Sequence, residues 1–175
     1  DPMRAIMTLA GMALLSGPVV ADTMEIGIAI PQLNVAEYHR PYLAAWIARP
    51  DQTVAANLAV LYQQERRGED EGETWLKDLR QWWRRAGRNL TMPVDGVSGP
   101  TRGPGTHSFN IDGDSPALAA LEPGDYILNV EAVREVGGRE MVQLPFTWPA
   151  NGAAPLTVSG ETELGLITLT LANED

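Results

Sequence analysis

Tyr42-Leu43-Ala44-Ala45-Trp46-Ile47-Ala48 is apolar at every position. In a strand, successive side chains point to opposite faces. Tyr42, Ala44, Trp46 and Ala48 therefore share one face, and Leu43, Ala45 and Ile47 the other. A strand with water on one side would alternate apolar with polar. This one does not, which predicts a central strand. Pro50-Asp51-Gln52 supplies a turn, and Thr53 to Tyr62 returns as the hairpin partner. The alanines of that return segment are also compatible with helix.

Alternation recurs on either side. Before the central strand, Met24, Ile26, Ile28 and Ile30 fall opposite Glu25, Gly27 and Ala29, and Pro31 ends the strand. Later in the chain, Thr106–Ile111, Tyr126–Val133, Glu140–Trp148 and Leu164–Leu171 read as strands, with Val136-Gly137-Gly138 closing a hairpin. The expected fold is all-β, an immunoglobulin-like sandwich of about seven strands. One amphipathic helix is predicted from a Thr74 cap to about Ala86, with Trp75, Leu76, Leu79, Trp82 and Trp83 on its apolar face and Gly87 as its stop, and it is expected to pack over an open edge or end of the sandwich. Adjacent helix residues diverge by about 100°, so Trp82 and Trp83 cannot both face inward. Thr91–Gly105, rich in glycine and proline, is predicted to be a long loop, a type that is commonly functional.

Residues 1–21 are expected to lie outside the fold. Asp1-Pro2 read as a remnant ahead of Met3. Arg4, the apolar run to Leu15 and the small residues up to Ala21 then form a Sec signal peptide, cleaved after Ala21. Residues 22–175 form a single domain in this reading, with no later membrane span. The expected location is the periplasm. The absence of cysteine excludes disulfides and thiolate zinc sites.

Net charge is −10, which argues against nucleic-acid binding. The basic residues Lys77, Arg80, Arg84, Arg85, Arg88 and Arg102 nevertheless concentrate in one stretch that contains only Asp78 and Asp95 as acids. Such an island suits an anionic ligand or an acidic partner, or simply a solvated helix face. No nucleophile-elbow pattern surrounds Ser98, so nothing supports a hydrolase. His39 and His107, far apart in sequence, are weak metal candidates and fit structural roles better. His39 belongs to Tyr38-His39-Arg40-Pro41-Tyr42, a polar-aromatic cluster that could line a site or mark a strand edge.

Within the long loop, Asp95-Gly96-Val97-Ser98-Gly99-Pro100-Thr101 resembles the attachment motif of periplasmic FMN transferases: Asp, two variable residues, Ser or Thr, Gly, Ala, then Thr or Ser. Asp95, Ser98 and Gly99 match, and Pro100 stands where the motif has alanine. The resemblance implies that Thr101 is the hydroxyl joined to the FMN phosphate. From Thr23 to Asn173 the chain also resembles a family of predicted periplasmic proteins of unknown function. That likeness rests on the Tyr-His-Arg-Pro-Tyr-Leu-Ala-Ala-Trp-Ile segment, the Trp-Leu-Lys-Asp-Leu-Arg-Gln-Trp-Trp-Arg helix and the Val-Asp-Gly-Val-Ser-Gly-Pro-Thr-Arg-Gly-Pro-Gly loop. It implies association with PepSY-domain membrane reductases and an FMN transferase, and a role in periplasmic electron transfer. The Pro123-Gly124-Asp125-Tyr126 strand is similar to the immunoglobulin-like domain of flagellar hook-capping proteins, a likeness of fold only.

Together these readings give an expected covalent FMN carrier. Arg102, with Arg84, Arg85 or Arg88 if the fold gathers them, would neutralise the phosphate, and Trp83 would be free to stack on a flat ring. The alternative is a non-catalytic accessory domain that binds a membrane or periplasmic partner. As a stand-alone enzyme the chain has no convincing catalytic set.

Overall fold

The computed structural model describes residues 22–64 and 71–173. The expected signal peptide lies outside them. Nine strands form: β1 (Asp22–Ile30), β2 (Tyr42–Ala48), β3 (Val54–Tyr62), β4 (Ser98–Pro100), β5 (Gly105–Ile111), β6 (Gly124–Val133), β7 (Arg139–Trp148), β8 (Leu156–Ser159) and β9 (Leu166–Asn173). They build a four-stranded sheet in the order β5-β1-β9-β8 and a five-stranded sheet in the order β4-β3-β2-β6-β7. All pairings are antiparallel except β3 with β4. The fold is thus an all-β sandwich, with two strands more than the pattern suggested. The additions are the short β4 and β8, of three and four residues, too brief to show alternation.

The two faces of β2 divide as their sequence requires. Leu43, Ala45 and Ile47 enter the core between the sheets, with Met24, Ile26 and Ile28 of β1, Leu128 and Val130 of β6 and Ile167 and Leu169 of β9. Ala44, Trp46 and Ala48 face the other way, into a second cluster with Val60, Tyr62, Leu76, Leu79, Trp82 and Ala86. Helical segments cover that outer face, so the molecule has three layers. The helical part lies on a sheet face, and not over an open edge or end of the sandwich as expected, because Ala44, Trp46 and Ala48 need an apolar cover there. Trp46 is fully buried between β2 and this cover.

The cover is not the continuous helix expected. It consists of α1 (Glu71–Thr74), a 3-10 turn at Trp75–Asp78, α2 (Arg80–Arg85) and a second 3-10 turn at Gly87–Asn89. Thr74 is itself helical and makes no side-chain cap. The break falls at Leu79, whose ψ of 72° leaves the helical region. Its cause lies across the layer. Glu131 of β6, wholly buried, accepts the N–H of Gln81 at 3.1 Å and of Trp82 at 2.9 Å, and receives Arg139 Nη1 at 3.1 Å. The first N–H groups of a helix have no partner within it and attract negative charge. Here a sheet carboxylate supplies the cap, and the chain kinks to reach it. Trp82 Nε1 adds a 2.9 Å bond to Asn57 Oδ1 of β3. The Trp82 ring lies so close to Gly87 that a Cβ there would meet Cζ3 at 2.5 Å, so glycine is required at that position.

A third short helix, α3 (Pro116–Ala119), lies where only turns were expected. Ser115 caps it, and Leu118 drops into the inter-sheet core. The alanine-rich return segment is strand β3, paired with β2 from Leu43↔Leu61 to Ala48↔Val54.

Glu131→Ala removes the cap and leaves Arg139 without its acidic partner. Unfolding free energy should fall by about 3 kcal/mol, with Glu131→Gln losing less because an amide oxygen can still accept. Urea denaturation of the two variants measures this. Equal stability of Glu131→Ala and wild type would show that the helical cover does not depend on the cap.

Candidate functional site

The antiparallel register brings several chain segments to one end of the five-stranded sheet. There β2 begins at Tyr42 opposite Val133, where β6 ends. Tyr62 closes β3 and pairs with Pro100, so Thr101 leaves β4 at the same end. The Tyr38–Pro41 segment leads in, and the Trp75–Asp78 turn overhangs. These parts enclose a cleft of about 640 Å³, whose lining includes Tyr38, His39, Arg40, Trp75, Thr101 and Arg134. That volume lies within the range of small-molecule sites. Tyr42 also lines it and donates its hydroxyl to Gly72 O at 2.9 Å.

The loop carrying Thr101 is held in place. Val97 and Ser98 donate their N–H groups to Val94 O at 3.1 and 2.9 Å, and Val94 N–H returns a 2.8 Å bond to Ser98 Oγ. Gly96, at φ 73°, makes the turn. Val60 N–H then anchors Val97 O at 2.9 Å, and the parallel β3–β4 pairing carries the chain to Thr101. Ser98 is therefore structural, its hydroxyl spent on the turn, and Asp95 is exposed at the tip. Thr101 is half-buried, and its hydroxyl has no hydrogen bond among the described residues.

Arg134 forms one wall. Only 7% exposed, it directs Nε and Nη2 to Glu163 at 2.9 and 3.1 Å, and its guanidinium lies 5.9 Å from the Tyr38 ring centre. Hydrogen bonds to Glu163 hold Arg134 above its ordinary pKa. The guanidinium packs over Gly137, where any side chain would collide with it. Glu163 also accepts Gly138 N–H at 3.0 Å. Arg134 Nη1 and the Tyr38 hydroxyl are buried and unpartnered among the described residues. Burial raises the Tyr38 pKa, against the opposing pull of Arg134 and Arg40. At the rim, His39 Nε2 meets Glu37 at 2.8 Å and Nδ1 meets Glu135 at 3.6 Å.

Glu163 is positioned by Glu140. That carboxylate accepts the backbone N–H groups of Glu161, Thr162 and Leu164 at 2.8, 3.2 and 2.9 Å, fixing the turn that carries Glu163. Burial acts to raise the Glu140 pKa, but these bonds outweigh it and hold the group below the ordinary glutamate value.

Of the residues singled out in the sequence, the fold brings Thr101 and His39 to the cleft. The basic helix does not converge on it. Arg84 bonds Gln81 at 2.7 Å, and Arg85 reaches Gln52 at the far end of β3. Eight residue steps of strand from Val54 to Tyr62, roughly 26 Å, separate that end from the Pro100 pairing. Arg88 is exposed in the second 3-10 turn, away from the lining. Arg102 turns aside to stack over Phe109 at 4.5 Å, and Gly99 lies against Leu61. Trp83 packs beside Trp82 in the outer cluster. The exposed indole is instead Trp75, 53% accessible, and it lines the cleft. His107 Nε2 bonds Gly103 O at 2.7 Å, a structural role. Among the described residues no cluster of three metal-ligating side chains forms.

Sequence reading noted the Tyr38–Tyr42 cluster but missed Arg134 and Glu163. The available signal was the pair of arginines, Arg134 and Arg139, flanking a Gly-Gly turn. No described helix is long and apolar enough to cross a membrane.

Because the folded Glu140 pKa is depressed, its stabilisation is complete above the ordinary glutamate value and is lost as pH falls through the lowered one. Glu140→Gln should lose about 1 kcal/mol at pH 7, and the gap to wild type should close below about pH 4. Urea midpoints between pH 7 and 3 test this; a gap independent of pH would contradict it.

A family model described as predicted periplasmic protein (DUF2271) matches residues 23–166. Neither the curated proteins nor the solved structures gave a match.

Proposed function

The chain belongs to the DUF2271 family of predicted periplasmic proteins, and from that premise we propose that it carries FMN, joined through a phosphoester to Thr101, and passes electrons to or from a membrane partner. The observation that supports this most is the position of Thr101. A hydroxyl singled out by a seven-residue resemblance lies, in the fold, on the wall of a cleft large enough for a flavin. The fit extends to the rest of the lining. Trp75 offers an exposed indole face, suited to stacking on a flat ring. Arg134 and Tyr38 offer buried donors without acceptors, suited to a phosphate.

Attachment would form a bond from Thr101 Oγ1 to the flavin's phosphorus and release the hydroxyl proton. A flavin dinucleotide donor would lose its AMP in the same exchange, catalysed by an FMN transferase. Once bound, the flavin supplies the redox chemistry. The chain's part is to hold the phosphate on a loop fixed by β3 and the Val94–Ser98 turn, and to keep one ring edge open to a partner. A PepSY-type membrane reductase is the partner class proposed. Pro100, lying between Gly99 and Thr101, keeps the preceding residue extended. That extension matches the β4 conformation that delivers Thr101 to the cleft.

Protein exported in a host containing the transferase should be yellow and heavier by one FMN less one water. Thr101→Ala should be colourless and unmodified, and Thr101→Ser should keep the modification. An unmodified wild type beside an active transferase, or a mass gain that survives Thr101→Ala, would overturn the reading.

A further inference from the structure

We infer that the wall of the cleft where Arg134 lies over Tyr38 is a seat for a phosphoryl anion, built from Arg134 Nη1 and the Tyr38 hydroxyl and present before any flavin is attached. It rests on the reading of the cleft as a binding site, but not on covalent attachment. Arg134 uses Nε and Nη2 on Glu163, which fixes its plane. The third nitrogen is buried, faces no acceptor among the described residues, and belongs to a residue that lines the cleft. The Tyr38 hydroxyl is in the same condition on the same wall.

A buried donor left without a partner costs roughly 1–3 kcal/mol, and folded proteins rarely leave two together. Two such donors on one wall call for an acceptor from outside the chain. Charge favours an anion. Glu163 neutralises Arg134, but Arg40 adds a second guanidinium, whose Nε lies within 3.6 Å of where a Gly103 Cβ would be. Gly103 follows Thr101 by two residues, so Arg40 flanks the loop that carries the hydroxyl. The seat offers one guanidinium nitrogen, Nη1, and a hydroxyl, which suits a tetrahedral group with several acceptor oxygens. Asp78 and Glu135 also line the cleft, with Glu135 against His39. These carboxylates disfavour an extended polyanion. The turn glycines serve the same arrangement, since a side chain at Gly137 would displace the guanidinium.

Unmodified protein from a host without the transferase is the material for the test. It is titrated with inorganic phosphate at constant ionic strength, followed by amide NMR, with acetate as the comparison. Saturable shifts are expected at Tyr38, Thr101 and Arg134 for phosphate and not for acetate. Affinity should fall tenfold or more in Tyr38→Phe and in Arg134→Lys, which keeps the charge against Glu163 but loses the fork. No saturable shift, equal response to acetate, or unchanged affinity in Tyr38→Phe would overturn the seat. Tyr38→Phe alone decides the matter if Arg134→Lys does not fold. Because no flavin is present, failure here leaves attachment at Thr101 standing, and a seat that binds phosphate leaves attachment still to be judged by mass.

Discussion

The five-stranded sheet must be covered on both faces, because β2 has no polar side to offer water. Leu43, Ala45 and Ile47 are met by the second sheet, and Ala44, Trp46 and Ala48 by the helical cover. The cover is made of segments of only a few residues, too short to be stable alone. It holds because Leu76, Leu79 and Trp82 are buried against the sheet and because Glu131 reaches out of β6 to cap α2. A wholly buried carboxylate would be costly if unpaired. Two backbone N–H groups and Arg139 satisfy it, so the same bond that docks the cover also makes the buried charge tolerable.

The cleft follows from this layering. Where β2 starts and β3 and β6 end, the cover runs out over the sheet's edge, and the Tyr38–Pro41 segment, Thr101 and the β6–β7 turn close round the gap. Its polar wall depends on a relay of fixed carboxylates. Glu140 orders the 161–164 turn, Glu163 in that turn grips Arg134, and Arg134 lies over the Tyr38 ring. The carboxylate links are short and hydrogen-bonded, so Arg134 is held in one orientation with a donor to spare. That rigidity, in a site bounded otherwise by exposed loops, lowers the ordering cost of holding a ligand without a deep pocket.

Much of the fold was legible because alternation is a direct consequence of strand geometry. The two-sided apolar run Tyr42–Ala48 announced a central strand, and seven of the nine strands appeared near their observed limits. The layer of helical segments over the outer sheet face was not foreseen, because the helix was expected at an open edge or end of the sandwich. The cap on α2 was not legible. Glu131 looked like an ordinary outward residue of its strand, and nothing local says that its carboxylate meets a helix fifty residues earlier in the chain. For the same reason the helix was drawn as continuous, although the pull of Glu131 breaks it at Leu79. At the site, the Asp95–Thr101 loop and the Tyr38–Tyr42 cluster could be singled out separately, but not that β3 carries one towards the other. The arginines of the helix were the natural expectation for a phosphate because they are close in sequence. They do not line it, Arg85 reaching the opposite end of β3, and the arginines that line the cleft come from either flank of the central strands. Long-range pairing decided each of these points, and composition and spacing do not encode it visibly.

The central claim is that Thr101 holds a flavin inside this cleft and not merely on a mobile tether. Time-resolved fluorescence anisotropy of the exported, purified protein tests it most directly. A flavin seated against Trp75 should show quenched emission, with anisotropy that decays only at the tumbling rate of the whole domain. A chain without visible flavin absorption, or a bright flavin whose anisotropy is lost through fast local rotation, would contradict the claim.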